Sequence, residues 1–400
     1  IESAMSSERP SLIACRTITG YGSPKKQGTS SSHGSPLGKD EAAASKVALG
    51  WSHGPFEVPA NIREAWLAAG MRSHGEYDAW LQRFTGTEKD TKALFEQAME
   101  GAISPSLWPA LTAYRKALAD KPVTVASRKA SEMVLEVINA HVPEAIGGSA
   151  DLTGSNNTRT KGMEAIQADD FKGRFIHYGV REHGMAAAMN GMALHGGVIP
   201  YSGTFLVFSD YCRPAIRLAA LMGIRVIHVM THDSIGLGED GPTHQPVEHL
   251  SSLRAMPNLY VFRPADQVEA LECWQAALET KTTPSVMAAS RQKLPPVRLA
   301  EAPAANGVNL SAKGAYVLRP AKGEEKVVLL ATGSEVEIAL KAQEQLAAAG
   351  IGARVVSMPC WELFEAQPQA YQDEILGGDL PKVAVEAAVK LGWEIGRAHV

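Results

Sequence analysis

Through the middle of the chain, from Val123 to Ala288, short apolar runs alternate with stretches whose apolar positions recur three and four apart. The runs predict strands at Ala145–Gly148, Phe175–His177, Val198–Tyr201, Ile224–Met230, Tyr260–Arg263 and Ser285–Ala288. The intervening stretches predict helices at Glu182–His195, Arg213–Met222, Pro246–Met256 and Asp266–Glu279. Val123-Thr124-Val125 leads into an amphipathic helix, SRKASEMVLEVINAHV, capped by Ser127. Apolar strands that alternate with helices predict an α/β fold: a parallel sheet covered by helices on both faces.

The flanks read differently. Ser11–Thr19 predicts one short apolar strand, followed by a Gly/Ser/Pro/Lys-rich loop, Gly20–Asp40, that holds His33. Ala60–Leu118 predicts helices over a connecting segment, broken at Lys121-Pro122. Beyond a Pro/Ala-rich linker, Leu294–Asn306, a second and smaller α/β unit begins. Its expected strands are Val327–Ala331, Arg354–Ser357 and Val383–Val385, with a helix over Glu335–Ala349.

At 400 residues the chain has room for two or three cores. A net charge of −4 gives no electrostatic reason to expect nucleic acid or an anionic membrane as partner. No apolar run approaches the length of a membrane span. Cys15, Cys212, Cys273 and Cys360 are far apart, which indicates neither a disulfide framework nor a zinc site and fits a reducing, cytoplasmic setting. The chain begins at Ile1 without an initiator Met, and its last seven residues, EIGRAHV, look like a translated sequencing adapter, so a fragment is expected.

Chemistry concentrates in Thr231–Gln245, THDSIGLGEDGPTHQ, after the apolar run Ile224–Met230. The C-terminal ends of strands in open α/β sheets are where ligands sit, and His and Asp side chains exchange protons near neutral pH. Gly236, Gly238 and Gly241 match G-x-G-x-x-G, but five residues separate the first glycine from the strand and Pro242 follows the last. A dinucleotide site is therefore not expected. His232, Asp233, Glu239, Asp240, His244 and His249 show no metal-ligand spacing.

Glu182 opens a helix of small residues, where a carboxylate either serves a ligand or simply suits the helix dipole. Arg291 follows a strand directly, and with Arg128, His232 and Ser155 it could cradle an anion through guanidinium forks; a solvated charge is the alternative for each arginine. Phe205, Phe208 and Tyr211 recur at helical spacing, which by default is a core stripe. His53, His74, His141 and His195 read as ordinary.

Together, RTITGYGSPKKQGTSSSHGSPLG, ASRKASE, GGSADLTGSN, FIHYGVREHGMAAAMNGMALHGG, PYSGTFLVFSDYCRPAIRLAALM, THDSIGLGEDGPTHQPVEHLSSLRAMPN, VFRPADQVE and SRQKLP resemble the transketolase family in order and spacing, over nearly the whole chain. GEDGPTHQPVE is the specific element, since deoxyxylulose-phosphate synthases and the β-type subunits of keto-acid dehydrogenases diverge around it. The resemblance implies a thiamine-diphosphate-binding fold. It implies residues 1–95 as the tail of the diphosphate-binding domain, 96–305 as the pyrimidine-binding domain and 306–400 as a truncated carboxy-terminal domain. The activity it implies is transfer of a two-carbon ketol unit from a ketose phosphate to an aldose phosphate in pentose phosphate or carbon-fixation metabolism.

The resemblance also implies roles. Glu182 looks like the carboxylate that hydrogen-bonds the aminopyrimidine of thiamine and shifts it to its imino tautomer. Phe205, Phe208 and Tyr211 look like the wall that holds that ring, and Asp151 resembles a residue close to the cofactor. His33 resembles a histidine that touches diphosphate and donor substrate. Asp240 and His244 look like readers of the sugar hydroxyls, with His244 near the reacting carbonyl. Arg128, Ser155, His232 and Arg291 resemble the phosphate cradle.

Two departures stand out. The GDG motif and later Asn of the family's diphosphate and magnesium site are not in this chain, so no metal ligand is expected in it and Mg²⁺ is expected on the missing domain. Ser155 follows Gly154 where many relatives have Pro. The family's cofactor lies between two subunits, which implies a homodimer, half of each site here, and an inactive fragment. The alternatives are a dihydroxyacetone synthase with formaldehyde as acceptor, or a non-catalytic or split pyrimidine-domain subunit.

Overall fold

The computed structural model describes residues 1–298 and 308–393, in two units, Ile1–Thr87 and Glu88–Val400. Most of the Leu294–Asn306 linker and all of the last seven residues lie outside the described residues.

In the amino-terminal unit the expected strand does not form. Ser11–Ile18 is irregular, with Leu12, Ile13 and Ile18 exposed, because a strand needs a ladder partner and no strand is assigned among residues 1–87. Helices Ala60–Met71 and His74–Thr85 form as predicted, and the Ala-rich segment Lys39–Ala48 adds an unpredicted one. His33 closes a short 3₁₀ turn, Ser30–Ser32, and is exposed.

The second unit is built on a six-stranded sheet. Its order is Phe175–His177, Ala145–Ser149, Ile199–Phe205, Ile227–Thr231, Ser285–Ala289, Tyr260–Phe262, with every neighbouring pair parallel. Helices Ser127–His141 and Gln267–Glu279 pack on one another, as do Glu182–His195 and Ser209–Met222. Ile227–Thr231 and Ser285–Ala289 are buried along their whole length, as a doubly covered parallel sheet requires.

Ser127 does not cap its helix. Its Oγ donates to Ser290 Oγ at 3.1 Å and accepts from the Ser290 amide at 2.7 Å, which ties the helix to the end of strand Ser285–Ala289. Asp266, by contrast, caps Gln267–Glu279 through the amides of Val268 and Glu269, while its other oxygen takes the amides of Val297 and Arg298. The fingerprint glycines open no α-helix: Gly236 lies in the 3₁₀ turn Ile235–Leu237, and the next helix starts at His249.

The smaller sheet has the order Lys382–Val385, Glu325–Ala331, Gly352–Ser357, Tyr316–Arg319. The first three strands are parallel, and the last, unpredicted, is an antiparallel edge. A buried ion network joins it to the large sheet. Arg263 donates to Asp233 at 2.9 Å, to Glu335 and to the Thr332 carbonyl at 3.1 Å. Glu386 stands 3.7 Å from Arg263 and takes both guanidinium nitrogens of Arg254 at 2.8 and 2.9 Å. No helix among the described residues is long and apolar enough to cross a membrane.

Candidate active site

The C-terminal ends of five adjacent parallel strands deliver the site residues. After Phe175–His177 the chain turns through Tyr178–Arg181 into helix Glu182–His195, so Glu182 sits on the first helical turn. It is 7% exposed and has no hydrogen-bond partner among the described residues. A buried carboxylate without a donor is costly unless a ligand supplies one. Its charge and the burial of Cys212 together push that thiol up to about 12, burial weighing more.

Beside it runs the aromatic wall. The helical spacing of Phe205, Phe208 and Tyr211 comes from three successive elements: a strand end, a 3₁₀ turn and the start of helix Ser209–Met222. Phe205 and Phe208 stack at 5.7 Å with planes 8° apart, and Phe208 and Tyr211 follow at 5.8 Å, with Tyr211 63% exposed. The His232 ring lies on Phe205 at 3.7 Å, and the His244 ring stands edge-on to Phe208 at 5.4 Å. This is a partly open wall rather than a closed core stripe.

His232 is buried and held at a φ of 60°, a left-handed conformation that a non-glycine residue adopts only when its surroundings fix it. Burial, and then the Arg128 guanidinium, push its imidazole down to about 4, with Arg291 adding to the effect and Asp240 opposing it. The ring is therefore neutral near pH 7. Arg128 is itself pulled below its usual range by burial and then by Arg291, so two guanidiniums and an imidazole share one small region. Arg128 Nη1 donates to the Ser155 carbonyl at 2.8 Å. Arg291 donates to the Leu237 carbonyl at 3.1 Å and to the exposed Glu239 at 2.8 Å. Gly238, at a φ of 104°, gives the loop a turn only glycine makes easily.

Of the residues singled out from sequence, His232, His244, Phe205 and Phe208 touch, while Arg128, Arg291, His232 and Asp240 share a field. Asp151, exposed at a φ of 62°, follows strand Ala145–Ser149. His33 belongs to the other unit. Among the described residues no group of three or more His, Cys, Asp or Glu could hold a metal ion.

Sequence reasoning passed over Asn156, Thr231 and Arg263. The first stands in GGSADLTGSN and the last in VFRPADQVE, and none announces its partner in the sequence.

Three family models match in succession: the transketolase thiamine diphosphate binding domain over 1–104, the transketolase pyrimidine binding domain over 123–297, and the transketolase-like C-terminal domain over 314–398. The chain belongs to the transketolase family.

A transketolase of Cereibacter sphaeroides is 55% identical over 395 residues, a match that covers 99% of this chain and 59% of that protein. The structure of transketolase from Leishmania mexicana superposes with a TM-score of 0.89 at 39% identity, over 100% of this chain and 58% of that one. Transketolase from Pichia stipitis in complex with sedoheptulose 7-phosphate gives 0.87 at 38%, over 98% and 58%. The chain thus spans less than two thirds of the relatives it matches.

Proposed function

We propose that this chain supplies the pyrimidine-side half of a thiamine-diphosphate-dependent ketol transferase acting on sugar phosphates, with domains divided as 1–95, 96–305 and 306–400. The observation that carries the reading is the buried, donorless Glu182 carboxyl in the same strand-end region as the stacked Phe205, Phe208 and Tyr211. A flat heterocycle with a protonated ring nitrogen fits such a site, because the wall buries its faces and the carboxyl accepts its N–H. Thiamine diphosphate, when bound, supplies the electron sink for cleaving a carbon–carbon bond beside a carbonyl.

The chain's own residues do the rest. Glu182 holds the proton-bearing ring nitrogen by a charge-assisted hydrogen bond. Arg128, Arg291 and neutral His232 hold a phosphate, their mutual crowding being relieved when a dianion enters. His244 and Asp240 take sugar hydroxyls, Asp151 lies close to the cofactor, and His33, in the amino-terminal unit, serves the diphosphate side of a partner subunit's cofactor. A homodimer that places the diphosphate-binding domain of one subunit against this half of its partner is proposed with it. So is a divalent cation, Mg²⁺, held outside this chain. Sugar-phosphate complexes of the Pichia stipitis relative favour phosphorylated ketoses as substrates.

The test is ketol transfer by the full-length protein with and without thiamine diphosphate and Mg²⁺, with ribose 5-phosphate or formaldehyde as acceptor. Transfer is expected only with the cofactor and faster with ribose 5-phosphate, and the purified 400-residue chain alone is expected to be inactive. Preference for formaldehyde would instead establish a dihydroxyacetone synthase. In the same assay Arg291→Ala should raise KM for phosphorylated donors about 10- to 100-fold, the value of one charged hydrogen bond, with kcat little changed. Equal losses for phosphorylated and unphosphorylated ketoses would remove Arg291 from the phosphate site.

A further inference from the structure

Ser149 and Thr231 stand at the C-terminal ends of two strands that flank Ile199–Phe205 in the large sheet. Fully buried Asn156 spans the gap between them: Ser149 Oγ lies 2.9 Å from Asn156 Oδ1, and Asn156 Nδ2 lies 2.9 Å from Thr231 Oγ1. Thr231 Oγ1 is in turn 3.0 Å from His232 Nδ1. Glycine in the middle strand makes this possible, since a Cβ on Gly203 would stand 2.8 Å from the Asn156 Cβ.

The chain of bonds has a direction. The Leu152 amide, a donor that cannot reverse, gives its hydrogen to Ser149 Oγ at 3.1 Å. Ser149 must then spend its own proton, and its partner is the Asn156 side chain, whose oxygen therefore faces Ser149. That leaves the Asn156 NH₂ to donate to Thr231 Oγ1, and the Thr231 hydroxyl to donate to an unprotonated His232 Nδ1. We infer that Ser149, Asn156 and Thr231 are positioning residues forming a one-way hydrogen-bond relay that holds His232 as its Nε2–H tautomer. The ring thus offers the anion pocket a neutral donor, never an acceptor or a base.

The other contacts agree. The ring is fixed by Phe205 at 3.7 Å, and Nε2 has no hydrogen-bond partner among the described residues. Every neighbour that depresses its protonation is a cation or a second imidazole: Arg128, Arg291 and His244. A neutral N–H adds a contact to phosphate without a third positive charge beside two guanidiniums that already repel. This last step rests on the proposed phosphate cradle, whereas the tautomer does not.

Neutron diffraction on deuterium-exchanged crystals of the full-length protein near neutral pH reads the tautomer directly, and deuterium on Nε2 alone is expected. Asn156→Asp should move it to Nδ1, because a carboxylate accepts on both sides, so that Thr231 donates to it and accepts from the ring. Thr231→Val should raise KM for a phosphorylated ketose about tenfold, as loss of one ordered hydrogen bond allows, with little change for an unphosphorylated one. Thr231→Ser should restore it. Deuterium on Nδ1 in the unmodified protein overturns the relay even if no variant folds, and an unmoved deuterium in Asn156→Asp overturns its control of the ring. Equal KM changes for both ketoses, with deuterium placed as expected, sink the phosphate reading and leave the relay standing.

Discussion

On the proposed function, Glu182→Gln in the full-length protein is expected to lower kcat for ketol transfer by about 10²- to 10⁴-fold, the span over which a positioned proton-transfer group contributes. The substitution keeps shape and volume, and it removes a buried charge that has no hydrogen-bond donor among the described residues. The helix N-terminus favours the carboxylate by only about 0.3–1 kcal/mol. The melting temperature is therefore expected to change little while turnover collapses. Steady-state kinetics and thermal unfolding on the same preparation check it. Turnover within a few-fold of the unmodified protein would mean that Glu182 merely suits its helix.

Arg263→Leu destabilises the fold by about 3–5 kcal/mol, the usual cost of removing one partner from a buried ion network. Asp233 and Glu335 lose their guanidinium outright, and Glu386 keeps Arg254 and the Trp393 indole N–H. Against a total stability of about 5–15 kcal/mol this is a large share. The sign of its pH dependence follows from burial. Asp233 already sits above the usual carboxylate range because burial outweighs Arg263, and without the arginine it rises further. A carboxyl whose folded pKa is raised binds protons in the folded state, so the variant regains stability as pH falls from about 8 to 5. Urea midpoints across that range test this, and a constant deficit would show that the carboxylates are not the cause.

The sheet was legible in the sequence where burial dictates it. The expected runs at 145–148 and 285–288 form buried strands, and 224–230 does so from Ile227 onward. Ser11–Thr19 has the same local pattern and forms no strand, since the pattern specifies a face and not the neighbour that must pair with it. Ser127 has the identity of a cap, yet its hydroxyl is engaged by Ser290, 163 positions away. The Thr231–Gln245 loop betrayed itself by composition, and the resemblance to transketolases singled out Glu182 and the aromatic trio. Asn156 and Arg263 gave no sign, and nothing set Thr231 apart within its loop, because their meaning resides in partners brought by other strands.

The clamp at Arg263 has a consequence for exchanging parts between relatives. None of the proposed site residues lies beyond position 291, but Glu335 and Glu386 of the small sheet hold, through Arg263, the aspartate next to His232. A chimaera spliced in the linker inherits this latch only if the incoming piece brings both carboxylates in register. With neutral residues there, the graft would fold around a slack hinge and His232 would lose its fixed place.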